Sequence, residues 1–458
     1  MDAITAKELA EVTSGNLLKG SGNEIFTGIC TDSRIFQEGD VFFALKGELA
    51  DGHEFVPMVI DKGCKICVVS DEKAADDCEN CTFIVVKDTL PALQTLTKWY
   101  LEKIAVKKIA ITGSVGKTST RDMVYYILKE RYKTGRPIKN YNSDVGIPLT
   151  VAKFSSELEM AVLEEGMEFA GELHRLVDMT RPDVAIITNV GISHLENLGS
   201  RENLYKAKME ITDFFGEDNV LIINESNDML DKNNISGNYK VISIGEKGSE
   251  DYVVSDIRDR GIDGVDFTLT HKDKRKNFTL NVPGAHNAIN AALAVAGCDL
   301  YGVTWEEAQR GLLKMELTGK RLKIRENKGI RVLDDSYNAA PDSVKSAIKT
   351  METTDCSRRI AILGAMNELG DDTPKHHYEV GRFAAEHKVD VVIGIEPKAK
   401  DIVQGAVDCG IEGIYFDEKE DLYPQLKKIL KEGDLILTKA SMTRHFWEIA
   451  DEIMNLEL

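Results

Sequence analysis

The chain has 458 residues, 43% apolar and 29% charged, a balance ordinary for a globular protein. At roughly 100–200 residues per domain, that length predicts about three domains, each able to bury its own core. With 57 basic against 76 acidic side chains, the net charge of −19 and the pI near 5.1 exclude a broad basic face for nucleic acid and attachment to an anionic membrane surface.

The opening MDAITAKELAEV has neither a basic start nor an apolar centre, so no signal peptide is expected. No stretch approaches the ~20 apolar residues of a membrane span, and a cytoplasmic location is expected. The eight cysteines are then expected as reduced thiols. Cys64/Cys67 and Cys78/Cys81 are two C-x-x-C pairs with the look of a zinc site. However, 65–70 and 82–86 read as buried strands, and residues three apart in a strand point to opposite faces. That geometry places Cys67 in a core and Cys64 on the preceding turn, and it predicts buried thiols without zinc.

Short β-branched runs alternate with longer amphipathic stretches, which predicts an α/β chain with parallel sheets. Breaks near 87 and 317 divide it into domains 1–87, 88–317 and 318–458. Residues 88–103 read as a helix leading into the middle unit. There, a strand at 108–112 runs into a glycine loop and a helix over 117–132. Further strands at 160–164, 183–189 and 219–224 each end in a polar residue. Ligands bind at the carboxyl ends of parallel strands, so Thr112, Glu164, Asn189 and Asn224 are expected at one sheet edge. The last unit has strands at 330–335, 359–364, 389–394 and 434–439. It reads as Rossmann-like, but G-x-G-x-x-G is absent and no dinucleotide is expected.

The strongest chemical signal is TGSVGKTST at 112–120. Gly113, Ser114, Val115 and Gly116 form a loop whose backbone N–H groups can cradle phosphates. Lys117 reaches the terminal phosphates, and the hydroxyl of Thr118 meets Mg²⁺. The helix beginning at Lys117 adds its positive end. Ile111 stands where the full-length motif has its first glycine, so this is a shortened phosphate loop. Glu164 and His194, expected beside it, are suitable ligands for a divalent metal next to phosphates. Taken singly, a strand-end carboxylate or a lone histidine is as often structural.

These residues carry a resemblance to the Mur ligases, the ATP-dependent amide-forming enzymes of peptidoglycan synthesis. TGSVGKT resembles the family's shortened phosphate loop, VLEEG at 162–166 its magnesium glutamate, NVGISHLENLGS at 189–200 its magnesium histidine, and PGAHNAIN at 283–290 its adenine-side motif. CTDSR at 30–34 and GDVFFALKGELADGHEF at 39–55 resemble the family's uridine-nucleotide-binding first domain. DDSYNAAPDS at 334–343 and GAMNELG at 364–370 resemble the members that add D-alanyl-D-alanine to UDP-N-acetylmuramoyl-tripeptide. No DNPR-like motif of the members that add an acidic amino acid is present.

The resemblance implies three α/β domains: an N-terminal uridine-nucleotide binder, a central P-loop ATPase-like parallel sheet, and a C-terminal Rossmann-like domain that presents the amine and closes as a lid. It implies ATP and Mg²⁺ as cofactors, and UDP-N-acetylmuramoyl-tripeptide and D-alanyl-D-alanine as substrates of a monomer serving the cell wall and, through it, cell shape and division. Lys117, Thr118 and Ser119 would face ATP; Glu164, His194 and a carbamylated Lys208 would hold the second Mg²⁺, with Lys206 as the alternative lysine. Asn287 and Asn290 would face adenine, Arg321 a phosphate and Asp335 the ribose. Thr31, Asp32, Ser33, Arg34, Lys46, Gly47, Asn142, Tyr337 and Asn338 would bind substrate. Ala340, Ala365 and KASMTR at 439–444 depart from the family pattern and put the amine acceptor in question. A related ligase with another acceptor, folylpolyglutamate synthesis included, and a non-catalytic nucleotide binder are the alternatives. The first-domain motif disfavours folate, and a complete second metal site disfavours the binder.

Overall fold

The computed structural model describes residues 1–47, 50–76, 78, 80–319 and 321–456. Glu48 and Leu49 of the first-domain motif, Glu79 of the second C-x-x-C pair and Lys320 of the 317–321 joint lie outside the described residues. Among the described residues no helix is long and apolar enough to cross a membrane.

Three main sheets follow one another along the chain. The first has five strands in the order Asn16–Lys19, Thr82–Val85, Ile66–Val69, Asp40–Phe43, Gly28–Cys30. The edge strand Asn16–Lys19 runs antiparallel and the rest pair in parallel. The helix Thr89–Ile104, capped by the Asp88 carboxylate accepting from Leu90 N, leads to the second sheet. That helix buries Leu93, Leu96, Tyr100 and Leu101 between the two units. One continuous core joins Ile4, Phe43 and Ile84 of the first unit to Leu163, Val177 and Ile187 of the second, while the other face of each sheet buries a core of its own, as length predicts. Tyr100 ties the seam: its hydroxyl donates to Phe154 O and accepts from Asp2 N.

The middle sheet has nine strands, and its parallel part carries the order expected for ligand binding at the carboxyl ends. Lys107–Thr112 lies between Met160–Glu164 and Val184–Ile187, followed by Val220–Asn224 and Lys240–Gly245. The sheet is mixed, not parallel throughout. Tyr252–Asp259, Val265–His271 and Lys274–Leu280 extend it as an antiparallel meander. These strands carry Arg, Lys and Asp on their open face, which hides their alternation in a search for apolar runs. The helix after the loop spans Lys117–Leu128, four residues shorter at its end than the sequence predicts; residues 129–132 leave it in tight turns.

The third sheet runs Lys323–Asn327, Ile330–Asp334, Asp434–Lys439, Arg358–Leu363, Val391–Ile395, Glu412–Phe416. Only the first strand is antiparallel. The short outer strands at 323–327 and 412–416 are not legible in the sequence because none of their residues is fully buried.

Cys67 lies in the core and Cys64 before the strand, as the sequence predicts, but their sulfurs converge, which it does not. The strand that carries Cys67 begins only at Ile66, and Gly63, with φ +95°, turns the chain between the helix Val56–Asp61 and that strand. Face alternation therefore does not govern Cys64, whose Sγ lies 3.8 Å from that of Cys67. Cys30, Cys64, Cys67, Cys81, Cys298, Cys356 and Cys409 are free thiols.

Candidate functional site

The phosphate loop sits where the Lys107–Thr112 strand meets the Lys117–Leu128 helix. Gly113 has φ +148° and Gly116 φ +85°, and a Cβ on Gly113 would fall 1.9 Å from Thr188 Oγ1, so the loop can pack only with glycine there. The neighbouring strand end locks it. Asn189 Oδ1 accepts from the backbone N–H of Ser114 and Val115 at 3.1 and 3.0 Å, and Thr188 Oγ1 donates to Val115 O at 2.6 Å. Lys117 Nζ folds over the loop and donates to Gly113 O at 2.7 Å. Burial lowers the Lys117 pKa and the Glu164 charge opposes that fall.

Glu164 ends the adjacent strand, 2% exposed, and its carboxylate organises three donors. Thr118 Oγ1 donates to Oε2 at 2.8 Å, Arg121 Nη1 to the same oxygen at 3.1 Å, and Asn142 Nδ2 to Oε1 at 3.0 Å. Arg121 is itself fully buried and paired with Asp122 at 2.6 Å, which keeps a buried cation neutralised. Sequence reasoning missed Arg121 and Asp122. Their signal is two charges on the inner face of a helix.

These groups line one cleft of about 1210 Å³ between the second and third sheets. Glu164, Asn189 and Asn224 face it as expected of the strand ends; Thr112 lies buried behind the loop. Asn142, His194, Asn290, Arg321, Asp335, Tyr337 and Asn338 also line it. Asn287 does not: it is fully buried, donating to Pro283 O at 2.7 Å and accepting from Asn290 at 3.0 Å, so it positions Asn290 rather than facing a nucleotide. The Arg321 guanidinium carbon lies over the Tyr337 ring, 3.6 Å from its centre. Asp335 is paired with the buried Lys439, an ion pair that sequence reasoning did not isolate within KASMTR.

His194 adopts a left-handed conformation, φ 63°, and its Nδ1 meets Glu368 Oε2 of the third unit at 2.6 Å. That contact holds the Glu368 carboxyl below its usual range. Glu168, His194 and Glu368 bring their ligand atoms within 4.8 Å of one another. Glu168 and Glu368 were not among the expected ligands; Glu368 is 174 residues from His194 and no spacing rule could join them. Oxygen donors with one imidazole suit a hard divalent cation, so the residues present fit Mg²⁺.

The two candidate lysines differ sharply. Lys206 is exposed, whereas Lys208 is 1% exposed, with Met167 Sδ at 3.8 Å from its Nζ. Burial drives the Lys208 pKa well down, with the Lys117 charge adding to it. A lysine held neutral is a nucleophilic amine.

The remaining expected residues lie apart. Thr31, Asp32, Ser33, Arg34, Lys46 and Gly47 belong to the first unit and do not line the cleft. Arg34 clamps Asp32 through Nε and Nη2 at 2.8 and 2.7 Å, and this holds the Asp32 carboxyl down at about 2. Of the three departures from the family pattern, Ala340 lines the cleft and so do Lys439, Ser441, Met442 and Thr443. Ala365 does not: it is fully buried, and beyond it a separate depression holds Glu396 and Arg444.

Family models cover most of the chain: "Mur ligase family, catalytic domain" over 25–102, "Mur ligase middle domain" over 111–298, and "Mur ligase, glutamate ligase domain" over 320–442. The UDP-N-acetylmuramoyl-tripeptide–D-alanyl-D-alanine ligase of Bacillus subtilis is 35% identical over 99% of both chains. The chain belongs to the Mur ligase family. The ligase of the same name from Synechocystis is 31% identical, over 90% of this chain and 88% of its own. Among solved structures, MurF of Acinetobacter baumannii superposes with a TM-score of 0.92 at 28% identity over the whole of both chains. MurF of Thermotoga maritima in complex with ADP gives 0.82 at 25%, over 93% and 97%.

Proposed function

We propose that the protein is an ATP-dependent ligase that joins D-alanyl-D-alanine to UDP-N-acetylmuramoyl-tripeptide in peptidoglycan precursor synthesis. The observation that carries this reading is the full-length match to curated ligases of that activity, on a chain that keeps the phosphate loop and Glu164 at the floor of one cleft. The three domains are assigned as 1–87 for the uridine nucleotide, 88–317 for ATP and 318–458 for the amine and the lid.

The first step moves the γ-phosphoryl group of ATP to the peptide carboxylate; the Pγ–O bond to ADP breaks and an acyl phosphate forms. Two anions must meet, at about 4 kcal/mol per pair of unit charges at 4 Å and an effective dielectric near 20. The N–H groups of Gly116, Lys117 and Thr118 at the start of the helix and the Lys117 ammonium offset that locally, since the protein's net charge of −19 cannot. Thr118, Glu164, His194 and a carbamylated Lys208 would hold Mg²⁺, with Glu168 and Glu368 alongside. Bound there, Mg²⁺ supplies charge neutralisation between phosphate and carboxylate oxygens. The amine then attacks the acyl carbon, phosphate leaves, and an amide remains. Glu368 reaching His194 across the cleft supports a third unit that shields the acyl phosphate from water.

Asn290, Arg321 and Asp335 are assigned to the nucleotide, and Asn142, Tyr337 and Asn338 to the substrate end of the cleft. Thr31, Asp32, Ser33, Arg34, Lys46 and Gly47 are assigned to the uridine nucleotide. The protein is assigned to the cytoplasm, as a monomer. The test is phosphate release with UDP-muramoyl-tripeptide, comparing kcat/KM for D-alanyl-D-alanine with D-alanine, L-alanine and D-alanyl-D-serine. D-alanyl-D-alanine is expected to lead. A single amino acid winning by tenfold or more assigns the chain another acceptor.

A further inference from the structure

The first unit holds a second constellation with no part in the ligase reaction. Cys64, Cys67 and Cys81 are 1%, 0% and 5% exposed, and their sulfur atoms lie within 4.8 Å of one another. Cys64 and Cys67 are 3.8 Å apart at sulfur, Cys67 and Cys81 3.6 Å. Ligands about 2.3 Å from a tetrahedral zinc ion are separated by about 3.8 Å, the spacing seen here. A disulfide needs about 2.05 Å, and two near-equal distances from Cys67 single out no pair for one.

Three different elements deliver these sulfurs. Cys64 follows the Gly63 turn, Cys67 sits in the central strand Ile66–Val69, and Cys81 directly precedes the strand Thr82–Val85. Phe42, Val56, Val59, Val69 and Phe83 wall the cluster. Ordinary buried thiols act as small apolar groups and have no reason to converge. Thiolates in such a wall must be neutralised by a cation.

We propose that Cys64, Cys67 and Cys81 form a structural Zn²⁺ site whose fourth ligand is Cys78, which packs on the same cluster from the 71–81 connection. The ion fastens that connection, whose regular structure among the described residues is the single turn Glu72–Ala75, to the centre of the sheet. Cys30 of the same cluster donates to Asp32 O at 3.1 Å, so the fastening lies directly under the Asp32–Arg34 turn.

The test is elemental analysis of the full chain purified without added zinc, with cobalt substitution as a second readout. About one zinc per chain is expected, and cobalt should give the strong visible bands of tetrahedral thiolate coordination. Cys67→Ser should lower zinc at least tenfold, Cys78→Ser should weaken its retention against a chelator, and His194→Ala should leave it in place. Less than a tenth of an equivalent of zinc with no cobalt bands overturns the site, whether or not the serine variants fold. Zinc lost in His194→Ala but kept in Cys67→Ser places it elsewhere and also overturns it. So does a denatured protein with six free thiols in place of its eight.

Discussion

Lys117→Ala isolates the charge term of the first step. Its ammonium lies over the phosphate loop and donates to the loop carbonyls of Gly113 at 2.7 Å and Ser114 at 3.4 Å. No element of the fold hangs on it, and losing those two bonds costs about 1–3 kcal/mol of stability, partly offset because a buried cation is removed. The transition state loses more. A unit positive charge about 4 Å from a phosphoryl oxygen is worth about 4 kcal/mol at an effective dielectric near 20. At about 1.36 kcal/mol per factor of ten, kcat/KM should fall by about 10³. ADP formation under saturating acceptor gives the rate, and circular dichroism with a melting curve checks the fold. Turnover within a few-fold of wild type in a folded variant refutes the assignment of Lys117 to the phosphates.

Lys208→Ala should be inactive and regain activity with added short-chain carboxylic acids, while Lys206→Ala stays near wild type because its side chain is exposed; full activity of Lys208→Ala without any addition refutes the carbamate. His377 gives a pH test. It is fully buried, its Nε2 accepts from Met366 N at 3.0 Å and its Nδ1 donates to Thr373 O at 2.7 Å, which fixes the neutral form. Burial lowers its pKa from 6.5, so its contribution is present above about pH 6.5 and lost as pH falls. Each unit of that depression is worth about 1.4 kcal/mol. His377→Gln should flatten the drop in Tm between pH 7 and 5, and an unchanged pH profile refutes the assignment.

The local chemistry of this protein was written in consecutive residues. A phosphate loop needs glycines, a lysine and a hydroxyl within one turn of chain, so 112–120 could be read without a fold. The strand ends Glu164, Asn189 and Asn224 followed from one rule about parallel sheets, and the sheet places them on the cleft. The register of Lys206 and Lys208 could not be read, because both lie on one short helix and only packing decides which side chain is buried. Asn287 and Asn290 likewise look alike in sequence, yet one holds the other in place. The antiparallel meander at 252–280 escaped because its solvent face dilutes the apolar period. Glu368 reaches His194 only because the second and third sheets close on one cleft, and Lys439 reaches Asp335 because the strands Ile330–Asp334 and Asp434–Lys439, a hundred residues apart, pair in one sheet. The cysteines mark the boundary most plainly. Spacing gave two pairs and strand alternation set them apart, but Cys64 lies before the strand, just after the Gly63 turn, where alternation does not apply, and only the tertiary structure brings its sulfur to that of Cys67.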